Sequence, residues 1–196
     1  MKKIGHETLF VEANENRSRC GESTFVRLTD GRIIFAFTEY YEGSDHDHGV
    51  ARISACISSD EGETWSEPYV LIQKDEEAMN IMSPAFVRMQ NGNIGIFYLR
   101  KQLMPDKGVI CMPTFRQSAD EGATWSEQKV CPIPEGYYCG INDGAIVTRS
   151  GRIMWPVTYH GLRDDDYHQC TLKFEPKEEI HVVYSDDNGE TWGELP

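Results

Sequence analysis

The sequence predicts an all-β fold of the β-propeller class, and three observations carry that prediction. An S-x-D-x-G-x-T-W motif occurs three times, as SSDEGETW from Ser58 to Trp65, SADEGATW from Ser118 to Trp125 and SDDNGETW from Ser185 to Trp192. A second pattern interleaves with it: FVRLTDGRIIFAF from Phe25, FVRMQNGNIGIFY from Phe86 and IVTRSGRIMWPV from Ile146. No helical periodicity separates the two, and the recurrence interval of roughly 60 residues suits propeller or array units.

Each repeat resolves into two hairpins. Asp-Gly, Asn-Gly and Ser-Gly break the apolar segments, and these dipeptides tolerate the positive φ of hairpin turns between alternating or β-branched residues. In the S-x-D-x-G-x-T-W motif, the short Ser and Asp side chains suit a turn in which they bond nearby backbone amides, while Thr and Trp open the next strand. A calcium-loop reading fails because further acidic ligands and a closing Glu are missing. Four antiparallel strands per repeat define a blade. The blades are expected near 23–72, 83–130 and 145–196, in one partial propeller domain over 1–196.

Composition narrows the function classes. The 196 residues are 39% hydrophobic and 11% aromatic, enough for a sizeable core. Lys and Arg number 19 against 32 Asp and Glu, a formal charge of −13, so nucleic acid and anionic membrane are excluded as partners over most of the surface. A small anionic ligand in an arginine-lined cleft remains compatible, because salt screens the distant acidic field within about 10 Å. Neither an export signal nor a run long enough for membrane insertion is legible, which points to a cytoplasmic chain or to one exported by a signal outside this sequence. Cys20, Cys56, Cys111, Cys131, Cys139 and Cys170 show no C-x-x-C or zinc-ligand spacing and read as buried free thiols. No metal and no cofactor are expected.

In a four-stranded meander, the turns between strands one and two and between strands three and four emerge on one side. The opposite face then collects segments near 14–22, 38–50, 73–83, 99–113, 131–144 and 158–180. These hold Arg19, Glu22, Asp45, His46, Asp47, His48, Asn80, Arg100, Lys101, Tyr137, Tyr138, Asn142, Asp143, Tyr159, His160, Arg163 and His168. Loops on a rigid scaffold commonly carry function. The Asp45-His46-Asp47-His48 run is the densest titratable group, suited to a metal, to acid/base chemistry with a raised carboxyl pKa, or to a solvated loop. A partly dry, acidic setting that disfavours charge would equip Asp47 as a proton donor. Tyr40 with Tyr41 and Tyr137 with Tyr138 are aromatic pairs for stacking on sugar faces or for packing.

The two interleaved repeats resemble the sialidase superfamily over nearly all of the chain. GRIIFAFTEYYEGSDHDHG, MNIMSPAFVRMQNGNIGIFYLRK and EGYYCGINDGAIVTRSGRIMWPVTYH are similar to bacterial sialidase-like BNR-repeat proteins. The resemblance implies a six-bladed propeller, of which about three blades are present. It also implies an exo-α-sialidase-like glycoside hydrolase that removes terminal sialic acid from glycoconjugates with retention. The alternatives are a glycosidase for another acidic sugar and a non-catalytic glycan-binding or scaffold propeller.

Arg19, followed by Cys20 and Gly21 where the family has Ile-Pro, matches one arginine of the family's three-arginine carboxylate clamp, with Arg17 as the alternative. Asp47 matches the acid/base aspartate, with Asp45 as its near competitor. Glu22, Arg100, Asn142, Asp143, Tyr159 and His160 complete the expected substrate-binding set. The tyrosine nucleophile, its glutamate and the other two arginines are expected beyond residue 196. The chain is accordingly expected to be an N-terminal half, inactive alone. Its expected partners are a sialylated or other acidic glycan, and either the remaining blades or a second copy across open strand edges.

Overall fold

The computed structural model describes residues 5–105, 108–160 and 179–195, and every regular element among them is a β-strand. No helix among these residues is long and apolar enough to cross a membrane. The first unit is the antiparallel meander β1 (Arg19–Arg27), β2 (Ile33–Tyr40), β3 (Ala51–Ser58) and β4 (Tyr69–Ile72). The second repeats it with β5 (Asn80–Arg88), β6 (Ile94–Met104), β7 (Gly108–Ser118) and β8 (Lys129–Val130). In the third, β9 (Tyr138–Gly140) and β10 (Ile146–Val147) both pair with β11 (Ile153–Tyr159), followed by β12 (Glu179–Ser185) and β13 (Gly193–Glu194). The arrangement is propeller-like.

The predicted hairpins form as three-residue loops. Gly31, Gly92 and Gly151 take φ of 92°, 88° and 93°, and each donates its amide to the carbonyl three residues back, on Leu28, Met89 and Thr148. Such a turn closes with a left-handed residue, which glycine adopts without a Cβ clash. The first strands share another irregularity. The register shifts between Gly21 and Ser23 in β1 and between Met82 and Ala85 in β5, and the third unit splits into β9 and β10 at the corresponding place. A bulge of this kind bends the strand and lets pairing resume beyond it.

The S-x-D-x-G-x-T-W segments are turns held by one hydrogen-bond pattern repeated three times. Ser58, Ser118 and Ser185 accept from the amides of Gly62, Gly122 and Gly189 at 2.8, 2.8 and 2.9 Å. Asp60, Asp120 and Asp187 each accept from the Thr amide four residues on, all at 2.8 Å, and from its hydroxyl at 2.6, 2.6 and 2.5 Å. The carboxylates therefore close backbone turns, as the sequence indicated.

Packing between units supplies the core. Val26, Ile34, Ile53, Ile81, Phe86, Ile94 and Ile96 are buried between the first and second units. Phe97 anchors the second against the third, its ring 5.0 Å from those of both Phe115 and Trp155 and 5.1 Å from that of Trp192. Glycine permits close approach here, because a Cβ on Gly189, whose φ is +83°, would stand 2.5 Å from the Phe115 ring. The turn-bearing face is also cross-tied. Glu121 accepts from the Thr29 amide at 2.9 Å and from both terminal nitrogens of Arg88 at 2.7 and 2.9 Å.

Gly189→Ala should destabilise the fold by about 2 kcal/mol, since it combines a strained φ with overpacking against Phe115. An unchanged urea midpoint would contradict this packing. Acid should act through the repeated turns. Hydrogen bonds from the Thr hydroxyl first, and from the Thr amide next, push Asp120 and Asp187 down to about 2. These values lie below the roughly 3.9 of an unfolded Asp, so the stability they contribute is fully present above about pH 4 and is lost as pH falls through 2. Urea midpoints should fall across that window and fall less steeply in Asp120→Asn; a flat profile would refute the linkage.

Candidate active site

The face opposite the turns gathers the start of β1, the β2–β3 loop, the start of β5, the end of β6 and the approach to β9. Glycine shapes the β2–β3 loop at two points. Gly43 follows Glu42 in the left-handed region, with φ of 75° and 59°. A Cβ on Gly49 would meet Ser44 Oγ at 1.7 Å, so the loop folds back on itself only with glycine there. This fold presents Asp47 to Arg19, whose Nη1 lies 2.7 Å from Asp47 Oδ1 and also donates to the Asp45 carbonyl at 3.1 Å. The Arg19 guanidinium stacks on Tyr40, 4.6 Å from its ring centre. Arg17 turns elsewhere, toward Glu39 and the Glu12 carbonyl.

Behind this pair stand two residues for which the sequence suggested no role beyond membership of the face. Lys101, only 2% exposed, donates its Nζ to the backbone carbonyl of Asp47 at 2.7 Å. Buried Asn80 donates to the same carbonyl at 3.0 Å and to that of Gly49 at 2.7 Å. Asn80 and Lys101 are directly opposed across β5 and β6, so one cross-strand pair holds the loop of the preceding unit. The Lys101 ammonium also lies 5.3 Å from the centre of the Tyr137 ring, an arrangement in which the ring face offsets part of the cost of burying the cation. Tyr137 in turn meets the rings of His48 and His160 edge-on, at 6.5 and 6.2 Å. A fully buried amide has to satisfy its donors, and Asn80 does so on carbonyls of the preceding unit, a pairing that leaves no pattern in the sequence.

The electrostatics correct one expectation. Instead of being raised, the Asp47 carboxyl is lowered: burial pushes it up, but the Arg19 hydrogen bond and the charges of Lys101, Arg19 and His48 outweigh burial. Burial and the Lys101 charge lower His48 as well. The Asp47 side chain is 56% exposed and that of Arg19 34%, so both remain open to a ligand.

The other expected residues divide. Glu22 sits at the β1 bulge, close enough to act electrostatically on Arg19 and Tyr40, and its Oε2 is buried without a hydrogen-bond partner among the described residues. Asp143, at a φ of 50°, accepts from Thr24 Oγ1 at 2.5 Å, and Thr24 Oγ1 also accepts from the Phe86 amide at 3.0 Å, so all three first strands meet there. Asn142 is exposed beside it, and His160 is buried next to Tyr137. Tyr159 packs on Tyr138 and His181, with ring centres 5.0 and 5.4 Å apart.

Arg100 lies one residue from Lys101 and projects from the other face of β6. Asp75 takes it through two contacts of 2.6 and 2.7 Å, and Asp75 also accepts from Gln128. Tyr40, Tyr137 and Tyr138 are buried, so they pack and are not open stacking platforms; Tyr41 lies under Arg52. Arg163, His168 and Cys170 lie outside the described residues. No group of three or more His, Cys, Asp or Glu among the described residues could hold a metal ion. A groove of about 550 Å³ runs along the first unit, lined by Glu22, Phe25, Phe35, Phe37, Trp65 and residues 7–11; it shares Glu22 with the candidate site but includes neither Arg19 nor Asp47.

Arg100→Met should lower stability by about 1–3 kcal/mol, the cost of stranding the Asp75 carboxylate. An unchanged denaturation midpoint would show that the pair contributes nothing.

Comparison with known proteins gives concordant results. The profile of the family described as BNR repeat-like domain matches residues 13–195. A sialidase of Clostridium perfringens is 27% identical over 191 residues, covering 84% of this chain and 46% of that protein. Among solved structures, a protein of unknown function from Dyadobacter fermentans superposes with a TM-score of 0.70 at 21% identity, over 94% of this chain and 56% of that one. Hadza microbial sialidase Hz136 superposes with a TM-score of 0.66 at 17% identity, over 90% of this chain and 37% of that one. At these identities the structural likeness speaks for the fold alone. The chain spans less than half the length of the curated relatives it matches.

Proposed function

The chain belongs to the BNR repeat-like domain family, and from that premise we propose that its protein is an exo-α-sialidase-like glycoside hydrolase. It would remove terminal α-linked sialic acid with retention of configuration, on a six-bladed propeller. The observation that carries this reading is the Arg19–Asp47 pair at 2.7 Å, partly exposed on the face opposite the turns. The sialidase named above supports the substrate class.

In this reading Arg19 receives the carboxylate of the sugar, for which a planar guanidinium is the fitting partner. Tyr40 keeps the guanidinium in place from beneath. Asp47 protonates the leaving oxygen and then activates water, with Asp45 as the alternative in the same loop. Lys101 and Asn80 fix the Asp47 backbone so that its carboxyl swings from a defined origin, which reduces the orientational cost of reaction. Glu22, Asn142, Asp143 and His160 line the approach. We leave Arg100 out of the substrate set because Asp75 occupies it. No residue of the chain is assigned as nucleophile.

One observation favours a second reading, an acidic-glycan binder without turnover: the ion pair with Arg19 at 2.7 Å stabilises the Asp47 carboxylate and holds its carboxyl below the usual range. Hydrolysis by the intact protein separates the two. Sialyllactose should be cleaved, with kcat/KM reduced at least about a hundredfold by Asp47→Ala. Arg19→Ala should impair it comparably. A fluorogenic phenol-type α-sialoside, whose leaving group departs without a proton, should be less sensitive to Asp47→Ala. Binding of sialyllactose by a folded protein that leaves it uncleaved would favour the binder, and cleavage indifferent to Asp47 would remove its acid/base role.

A further inference from the structure

A proton donor has to be protonated when its substrate is seated, yet Asp47 is held as a carboxylate. The charged and titratable groups around it come from every neighbouring element: Arg19 and Glu22 from β1, Tyr40 from β2, Asp45, His46 and His48 from its own loop, Lys101 from β6 and Tyr137 from the approach to β9. The two cations differ in kind. Lys101 is sealed in and bonds the Asp47 backbone carbonyl, so it stays whatever the side chain does. Arg19 bonds the carboxylate itself through one nitrogen and is about one third exposed. An ion pair this open to water exchanges partners at little cost.

We propose that Arg19 is a gate on Asp47: an anionic ligand that takes the guanidinium displaces the Asp47 carboxylate, and the displaced carboxyl then takes up a proton from solvent. This rests on the reading above, in which Arg19 receives the carboxylate of the sugar. Displacement removes the cation that favours the charged carboxylate and brings a second anion close to it, and both changes favour protonation. The device selects substrates by chemistry as well as by fit. A neutral sugar seated beside Asp47 leaves the ion pair intact and meets a carboxylate with no proton to give, whereas an acidic sugar creates the acid that cleaves it. Tight positioning of the Asp47 backbone by Lys101 and Asn80 keeps the released side chain within reach of the leaving oxygen.

The test is the titration of the Asp47 carboxyl by carbon-13 NMR in the full chain, assigned with Asp47→Asn. In the ligand-free protein, Arg19→Gln should raise its midpoint by about one to three pH units, with Arg19→Met as a second variant of the same sign. Saturating free N-acetylneuraminic acid should raise the wild-type midpoint in the same direction and leave the variants where they are, while its methyl ester should leave the wild type unmoved. Equal midpoints in wild type and both variants would overturn the gate. So would binding of the free acid that shifts the Arg19 guanidinium resonances without moving Asp47. If saturating acid leaves those resonances untouched, the carboxylate-binding reading falls, and the gate falls with it.

Discussion

The backbone carbonyl of Asp47 is the point on which the site depends. It accepts from Lys101 Nζ at 2.7 Å and from Asn80 Nδ2 at 3.0 Å, two donors on neighbouring strands of the following unit. Burying an ammonium is costly unless its donors are satisfied and its charge is offset. The carbonyl and the Tyr137 ring meet part of that requirement. Removing either donor would loosen the loop from the unit it leans on. The carboxylate of the same residue faces the other way, toward Arg19 and solvent. Asp47 thus has a fixed backbone and an exposed side chain, a combination that suits a group whose partner changes during turnover.

A division of labour between the two faces follows from the meander. On one side, three identical hydrogen-bonded turns and three glycine hairpins spend their polar groups on each other and on the backbone. On the other side, longer and dissimilar connections place charged groups where the first strands begin. The bulges in β1 and β5 and the break between β9 and β10 bend the first strands at matching positions, and Thr24 ties them together through Asp143 and Phe86. The scaffold repeats, while the residues mounted on it do not.

This contrast explains what was legible beforehand. Turn chemistry is local: Ser58, Asp60, Gly62 and Thr64 satisfy one another within a few residues, so their spacing revealed both the turn and its repetition. Arg19 and Asp47 could be placed on one face because meander topology assigns faces without needing distances. Lys101 and Asn80 carry no local pattern, since their partner lies in another unit. Arg100 and Lys101 are adjacent cations that pleating sends to opposite faces, and the sequence alone favoured the one that Asp75 claims. The Asp47 shift has the same origin: acidic neighbours in sequence point to a raised carboxyl, whereas cations brought near by the fold lower it.

The most direct measurement is a crystal structure of the intact protein bound to the unsaturated sialic acid analogue 2,3-didehydro-2-deoxy-N-acetylneuraminic acid. The account predicts the carboxylate of the analogue on the Arg19 guanidinium, the Asp47 side chain released from Arg19, and the Lys101 contact with the Asp47 carbonyl unchanged. A ligand seated in the aromatic groove of the first unit, or one bound above an undisturbed Arg19–Asp47 pair, would contradict it.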